Sequence, residues 1–268
     1  MESQMDRRKF VTASLAAAAA TLASAQEAQM QSQPHSSARD FYLLRRYNLQ
    51  SGPQTALTEK FLSEALIPAL SRRKIGPVGA FRLDVGPETP VFYVLIPAGA
   101  SGQAAMLDQE LITDSEFIKA AEPFWSAPAT APAFLRAESS LLVSFEGWPK
   151  LTPPGKSAKR IFQLRTYESP SFHAHEVKVK MFHSGEFEIF KAAGFHPVFF
   201  GDTLVGPRMP NLTYMLAFDD LAQLDAQWNT FRNDPNWKKL SADLRFAYEA
   251  IVSNITNLYL SPLAASQI

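Results

Sequence analysis

Two arginines and two tyrosines recur at one spacing in separate segments of the sequence. Arg45 and Tyr47 lie in the segment FYLLRRY, and Arg165 and Tyr167 lie in the segment IFQLRTY. The second segment alternates as a β-strand does, and side chains two residues apart in a strand share a face. Two guanidinium groups and two phenols that converge on a cavity could hold a carboxylate, an enolate or a phosphate.

Two more residues are candidates for the same cavity. His196 precedes a predicted strand and could serve as acid, base or axial ligand at a pocket mouth, although a lone histidine is also common as a structural or surface residue. Tyr214 lies on a later predicted strand, where cross-strand packing is the alternative role. The candidate ligand-binding residues are therefore Arg45, Tyr47, Arg165, Tyr167, His196 and Tyr214. The alternative is an interdomain polar network around buried ion pairs that involves Glu168.

Histidines and glutamates cluster on or just before one predicted helix. Their spacing matches no HExxH or related zinc pattern, and the outer face of a helix is where solvated charge belongs, so we expect no metal site there. The sequence has no glycine-rich phosphate loop and no GxSxG motif. It identifies neither a cofactor nor a catalytic set. The clustered residues are His173, His175, Glu176, His183 and Glu186.

Composition excludes several classes of function. Of the 268 residues, 26 are basic and 26 are acidic, so no overall field favours nucleic acid or an anionic membrane. The chain has no cysteine, which excludes disulfides, a thiol nucleophile and thiolate metal ligands. With 46% hydrophobic residues, the chain can fill one large core or two domain-sized cores. The expected partners are a small molecule and, as a further possibility, a second copy of the chain.

The N-terminus has the layout of an export signal. Two arginines and a lysine precede an apolar stretch from Val11 to Leu22, and the sequence Ala-Ser-Ala follows and ends at Ala25. This pattern predicts a signal peptide over residues 1–25, and the paired arginines indicate the twin-arginine type. Residues 26–38 are polar without periodicity and are expected to form a disordered spacer. We expect a periplasmic or extracellular protein with no membrane attachment after signal removal.

An internal repeat organises the remaining sequence. At an offset of 120 residues, 11 of the 57 positions from Phe41 to Pro97 are identical without a gap, where chance would give roughly three or four. The repeat predicts a first domain over 39–146, a linker rich in Pro, Gly and Lys over 147–159, and a second domain over 160–268. Two such copies suggest a covalent version of a symmetric dimer.

The second copy has a readable order of elements. A strand is followed by a long helix that ends near Gly194, then by two strands, one or two helices and a last strand, which is the ferredoxin-like plan. The predicted strands are Ile161–Tyr167, Pro197–Gly201, Leu212–Phe218 and Asn254–Leu260, with helix starts at the segment Ser169-Pro170-Ser171, at Asp219 and at Asp234.

A ferredoxin-like sheet has one face without helices, and that face must be covered. We therefore predict an α+β fold in which the two tandem units close as an intramolecular barrel. We expect the apolar side chains of the first strand of copy two, Phe162, Leu164 and Thr166, to face the helices. Arg165 and Tyr167 would then line the space between the sheets.

The sequence resembles the NIPSNAP proteins, whose fold belongs to the dimeric α/β barrel group. The resemblance is strongest in copy two, in RIFQLRTYESPS from Arg160, GFHPVFFGDTLVGPRMPNLTYMLAFDDL from Gly194 and WNTFRNDPNWKKL from Trp228. Copy one is more diverged. The resemblance implies no single reaction, but the fold group includes cofactor-free oxygenases, isomerases and haem-handling enzymes, which is an analogy of fold alone.

Three functions remain open on the sequence. The first is an exported NIPSNAP-domain protein that binds a small molecule in the cavity between its two sheets. The second is a non-catalytic interaction module, because NIPSNAP relatives in animal cells are associated with partner recruitment. The third is an oxygenase or isomerase by fold analogy. A packed apolar barrel would favour the second function, and a polar, roomy barrel would favour the first.

Overall fold

The computed structural model describes residues 39–155 and 160–268. The predicted signal peptide and spacer lie outside these residues, as do the last four positions of the predicted linker. The domain boundaries stay a prediction, and residues 39–268 form one compact unit by their contacts. Within the described ranges, no helix has the length and apolar character needed to cross a membrane.

Each half of the chain contributes four strands, and within the described residues the second half has one α-helix and one 3-10 turn more than the first. The first half comprises β1 Phe41–Asn48, α1 Pro53–Lys60, a π-helical stretch Phe61–Leu66, α2 Ile67–Arg72, β2 Gly79–Val85, β3 Val91–Ala98, α3 Ser101–Leu111, α4 Ser115–Trp125 and β4 Arg136–Ser144. The second half comprises β5 Ile161–Glu168, α5 Phe172–Met181, a π-helical stretch Phe182–Glu186, α6 Phe187–Ala192, β6 His196–Val205, β7 Asn211–Phe218, α7 Leu221–Asn233, α8 Pro235–Ser241, a 3-10 turn Leu244–Phe246, α9 Tyr248–Ile251 and β8 Asn254–Pro262.

Side-chain caps explain where several of these helices begin. Ser171 accepts a hydrogen bond from the first turn of α5, and Asp234 accepts two from the first turn of α8. The predicted cap of α7 was wrong by one residue, because Asp220 rather than Asp219 accepts from the backbone of the helix. Gly194 follows α6 with a φ of +79°, a conformation that a residue without a Cβ adopts freely.

The eight strands close into one antiparallel barrel in the order β1-β3-β2-β8-β5-β7-β6-β4. Within each half the local strand order is 4-1-3-2, the ferredoxin-like arrangement. The halves meet where β2 pairs with β8 and where β4 pairs with β6. These two junctions are equivalent, so the halves are related by a pseudo-two-fold axis. The predicted fold class is confirmed.

The interior of the barrel is filled with apolar side chains from both halves. Phe81 packs on Phe162 with ring centres 4.8 Å apart, and Tyr42 packs on Phe199 at 5.2 Å. These residues are fully buried and belong to one cluster that contains strand residues and the chain terminus Ile268 but no helix residue. The pocket that these strand residues line within the described residues is small, about 70 Å³, so the barrel does not offer the roomy cavity that ligand binding between the sheets would need.

The predicted face assignment of β5 was wrong. Phe162 and Leu164 point into the barrel cluster, whereas Tyr167 belongs to the cluster that packs against α5, α6 and α7. Arg165 shares the face of Tyr167 and lies beneath the helices. The physical reason is closure: a small barrel has to fill its own interior, and apolar side chains of alternating strand positions do so best.

Candidate functional site

A pocket of about 420 Å³ lies between the outer face of the sheet and the helices of the second half. Strands β5 and β8 form its floor, and helices α5, α7 and α8 form its walls. The charged residues that line it are Arg165, Lys178, Glu186, Asp225 and Arg232, and the aromatic residues are Tyr167, Trp228, Phe231, Trp237, Phe246, Tyr248 and Tyr259. Cations outnumber carboxylates in this set, which favours an anionic ligand.

Arg165 stands on the floor of this pocket. Its Nη2 donates to the Tyr167 hydroxyl at 2.9 Å, and its Nη1 makes a long 3.4 Å hydrogen bond to Asn257. Its guanidinium carbon lies 4.5 Å from the ring centre of Trp228, within the range of a cation–π contact. Among the described residues, no carboxylate forms an ion pair with Arg165. The group is thus a cation without a counter-ion of its own.

The phenols of Tyr167 and Tyr214 extend the polar network inward. Their hydroxyl oxygens lie 3.0 Å apart, and either can be the donor. Burial raises the pKa of Tyr214 well above its ordinary value, more than the opposing effect of the nearby Arg165 cation can offset. Tyr214 therefore stays a neutral phenol near pH 7, where it can donate to Tyr167 and leave the Tyr167 proton available to the pocket.

A buried ion pair forms part of the helical wall. The Lys178 ammonium donates to a carboxylate oxygen of Glu186 at 3.0 Å, and the two side chains are 4% and 3% exposed. The same ammonium lies 4.5 Å from the ring centre of Phe182 and 5.3 Å from that of Tyr167. Glu186 ends the π-helical stretch of this half, and such stretches are frequent at functional sites.

Trp228 is held in place by the floor of the pocket. Its indole Nε1 donates to the Gln163 side-chain oxygen at 2.8 Å, and Gln163 is 1% exposed. Phe231 packs on Trp228 and on Trp237, with ring centres 5.4 and 4.6 Å apart. The result is a wall of mutually tilted aromatic rings beside the Arg165 guanidinium.

The equivalent position in the first half holds a different arrangement. A second pocket of about 380 Å³ contains Arg45 and Tyr47 between the sheet and helices of that half. Asp108 accepts two hydrogen bonds from the Arg45 guanidinium, at 3.0 and 2.9 Å, and Ser139 accepts a third. Burial raises the pKa of Tyr47. Because Asp108 accepts from both of its terminal nitrogens, the Arg45 guanidinium is already neutralised by a carboxylate of its own half.

The repeat explains this difference by one position. At the offset of 120 residues, Asp108 on α3 corresponds to Trp228 on α7, and both contact the repeated arginine. A carboxylate in the first half is replaced by an indole in the second, so only Arg165 keeps its charge available to a ligand.

The six predicted site residues are not brought together. Arg165, Tyr167 and Tyr214 form one connected group, whereas Arg45 and Tyr47 lie beneath the helices of the other half. The predicted convergence of the four repeated side chains between the sheets is therefore wrong. His196 is exposed at the first position of β6 and lines a different, polar pocket with Gln223 and Gln227.

The alternative network around Glu168 also takes a different form. Glu168 accepts from Arg208 at 3.3 Å and from Asn254 at 2.9 Å, not from Arg165.

The histidine and glutamate cluster is dispersed. His175 bonds Asp202 at 2.7 Å, and the ring of His183 bonds the backbone carbonyl of Val179. Glu186 is engaged by Lys178. Across residues 39–155 and 160–268, no group of three or more His, Asp or Glu side chains is arranged to hold a metal ion.

Sequence reasoning missed the residues that complete the pocket. Lys178 and Trp228 come from helices whose inner face was not assigned. Glu186 was expected among the solvated charges of an outer helix face, which was wrong, because it is 2% exposed. A usable signal was present: the repeat aligns Glu186 with Leu66 and Lys178 with Thr58, so charges appear in copy two where copy one has uncharged residues.

Comparison with known proteins supports the fold. Residues 162–267 match the NIPSNAP family model. A "putative monooxygenase" from Lactobacillus acidophilus superposes with a TM-score of 0.56 at 9% identity, over 84% of this chain and 94% of its own. A second protein with that description, from Fusobacterium nucleatum, superposes with a TM-score of 0.55 at 8% identity, over 85% of this chain and 94% of its own.

A NIPSNAP-like domain protein from Burkholderia xenovorans is 14% identical, covering 40% of this chain and 89% of its own with a TM-score of 0.36. No curated protein sequence matches this chain. At these identities the likeness to solved structures concerns the fold alone.

Proposed function

We propose that this NIPSNAP-domain protein binds a small organic anion with a flat apolar body in the pocket beneath the helices of its second half. The observation that carries the proposal is Arg165, a partly buried guanidinium that has no carboxylate partner among the described residues and that lines a partly open pocket. A buried charge that lacks a partner is costly, and a ligand anion would supply the missing one.

The expected pose follows from the contacts of the pocket floor. The ligand carboxylate would accept from Arg165 Nη1, whose bond to Asn257 is long, and from the hydroxyl of Tyr167. The body of the ligand would lie against Trp228 and Trp237. A volume of about 420 Å³ lies within the range of roughly 300–1,000 Å³ of small-molecule sites.

The comparison of the two halves supports the second half as the binding half. The pocket of the first half has a similar volume, but its arginine is bonded twice to Asp108. A ligand anion there would compete with a carboxylate that is already in place. Binding to the Arg45 pocket should therefore be much weaker.

The packed barrel removes the cavity in which ligand binding was first expected, and that result alone would favour an interaction module. The pocket beneath the helices supplies a different cavity, with the polar and aromatic lining that a ligand site needs. We therefore favour small-molecule binding over an interaction module.

Ligand-observed saturation-transfer NMR tests this proposal, with benzoate, phenylacetate and phenylpyruvate as probes. We expect binding of at least one probe to the wild-type protein, loss of binding in Arg165→Met and unchanged binding in the matched control Arg45→Met. Retained binding in Arg165→Met, or loss only in Arg45→Met, would reject the assignment. Native mass spectrometry and an absorbance scan of the purified protein would detect a copurifying ligand, including haem.

We also propose that the protein is exported through residues 1–25, on the basis of the paired arginines Arg7 and Arg8 and the apolar stretch that follows. Expression of the full chain with fractionation and N-terminal mass analysis tests this. A mature protein that begins at Gln26 outside the cytoplasm is expected, and the double variant Arg7→Lys/Arg8→Lys should remain unprocessed. An uncleaved wild-type chain retained in the cytoplasm would contradict the proposal.

A further inference from the structure

The Lys178–Glu186 ion pair is unusual for its place in the fold. Both side chains are almost fully buried, their charged atoms lie 3.0 Å apart, and both residues line the pocket that contains Arg165. Replacing a buried ion pair by apolar residues is often neutral or stabilising, so burial of such a pair is weak evidence for a structural role.

The first half shows that the fold does not require this pair. The repeat aligns Lys178 with Thr58 and Glu186 with Leu66, and both counterparts are fully buried beside the equivalent π-helical stretch. The equivalent helical segment of the first half thus packs on its part of the sheet with uncharged side chains. The charges of the second half are therefore explained by the pocket rather than by packing.

Two of the three cations that line the pocket lie around one aromatic ring. The Lys178 ammonium and the Arg165 guanidinium carbon each lie 5.3 Å from the ring centre of Tyr167. A ligand held by its carboxylate at Arg165 would extend along this ring toward Lys178. A polar group on the neighbouring carbon of such a ligand would then approach the ion pair.

We propose that Glu186 is the general base of a proton-transfer site whose substrates are aromatic 2-oxo acids, an inference that rests on the anion binding proposed above. The Glu186 carboxylate takes a proton from the carbon next to the substrate carbonyl. The electrons of that C–H bond form the enolate double bond, and the negative charge moves to the carbonyl oxygen, where the Lys178 ammonium stabilises it. Return of the proton from Glu186 to the enolate oxygen gives the enol, so the net reaction is tautomerisation with no other reactant.

The chemistry of the pocket selects this substrate class. Arg165 and Tyr167 bind the carboxylate, Trp228 and Trp237 contact the aromatic ring, and the ion pair acts on the carbon between them. The carboxylate and the carbonyl of a 2-oxo acid are on adjacent carbons. This suits the two cations Arg165 and Lys178, which both lie near the Tyr167 ring.

Deuterium exchange tests the proposal. The protein is incubated with phenylpyruvate in D₂O, and loss of the C3 proton signal is followed by NMR, while binding is measured separately by titration. We expect the wild-type protein to accelerate exchange over buffer. Glu186→Gln should lose roughly 100-fold or more of that acceleration, a typical contribution of a general base, with affinity changed only a few-fold. The matched control Glu188→Gln, an exposed glutamate on the next helix, should exchange at the wild-type rate.

A second variant guards against misfolding, because Glu186→Gln leaves the Lys178 charge buried without its partner. The double variant Lys178→Thr/Glu186→Leu installs the residues of the first half, so it should melt at or above the wild-type temperature, still bind phenylpyruvate and show no accelerated exchange.

The possible results separate the two proposals. Wild-type binding without accelerated exchange would overturn the proton-transfer role and leave anion binding intact, as would full exchange activity in the double variant. Absence of phenylpyruvate binding by the wild-type protein would count against both.

Discussion

Methionine substitutions of Arg45 and Arg165 form a matched pair, since the two arginines occupy equivalent positions in the repeat. Arg45→Met removes two hydrogen bonds to Asp108 and one to Ser139. Because the Asp108 side chain is 46% exposed and regains water, we expect a loss of about 1–2 kcal/mol rather than the larger loss of a buried pair. For a protein of this size each kcal/mol lowers the Tm by roughly 2–4 °C, so the Tm should fall by roughly 2–8 °C.

Arg165→Met should behave differently. It removes one good hydrogen bond, to Tyr167, together with a charge that no carboxylate of the described residues neutralises. The methionine side chain has a similar length and keeps an apolar contact with Trp228. The change in unfolding free energy should therefore stay within about 0.5 kcal/mol, and the Tm should move by no more than roughly 2 °C.

Thermal unfolding followed by circular dichroism at pH 7, without ligand, measures both variants under the same conditions. Native mass spectrometry of each sample first establishes that no copurified molecule contributes to stability, because a bound ligand raises the apparent Tm. An Arg165→Met variant that loses as much stability as Arg45→Met would refute the reasoning, since Arg165 would then be a structural group.

Two further predictions concern the surroundings of the sites. Trp228→Phe leaves the buried Gln163 oxygen without its donor and should lower the free energy of unfolding, measured by chemical denaturation, by about 1–3 kcal/mol. The double variant Trp228→Phe/Gln163→Leu should recover most of that loss. No recovery would mean that the 2.8 Å hydrogen bond does not explain the loss. The hydrogen bond from the Phe117 backbone, with Arg72 and Arg73, holds the pKa of Asp114 well below its usual range, so its stabilisation is present above the ordinary carboxyl pKa and is lost as pH falls through the lowered one. Asp114→Asn should therefore lower the Tm at pH 7, and the difference from wild type should shrink in strong acid; a constant difference would contradict the role of the charge.

Much of the fold could be predicted because the duplication is strong and each half carries local signals. The alternation from Ile161 to Tyr167, the cap offered by the segment Ser169-Pro170-Ser171, the cap Asp234 and the stop at Gly194 each specify a local conformation through nearby atoms. The need to cover the bare face of each sheet then led to the barrel. These inferences depend on neighbouring residues or on a general packing rule, and they were confirmed.

The candidate site was harder to predict because both faces of β5 are buried, and the site depends on which face points into the barrel. β5 is covered on one side by the barrel core and on the other by helices, so both of its faces are largely buried. Hydrophobicity alone could not tell Phe162 from Tyr167 as the inward residue. Closure of the barrel decided the question, and that is a property of all eight strands together.

The partners of the two arginines were missed for a related reason. Asp108 and Trp228 lie more than 60 residues from the arginines they contact, and only the docking of α3 and α7 brings them close. The repeat alignment did contain the difference between the two positions. The alignment alone does not show that both positions face an arginine.

A crystal structure with 4-bromobenzoate would test the central claim most directly, because anomalous scattering locates the bromine without ambiguity. The account predicts one bound molecule beneath the second-half helices, with its carboxylate within hydrogen-bond distance of Arg165 and Tyr167 and its ring against Trp228. Bromine density beside Arg45, or a second-half pocket that stays empty at saturating ligand, would contradict it.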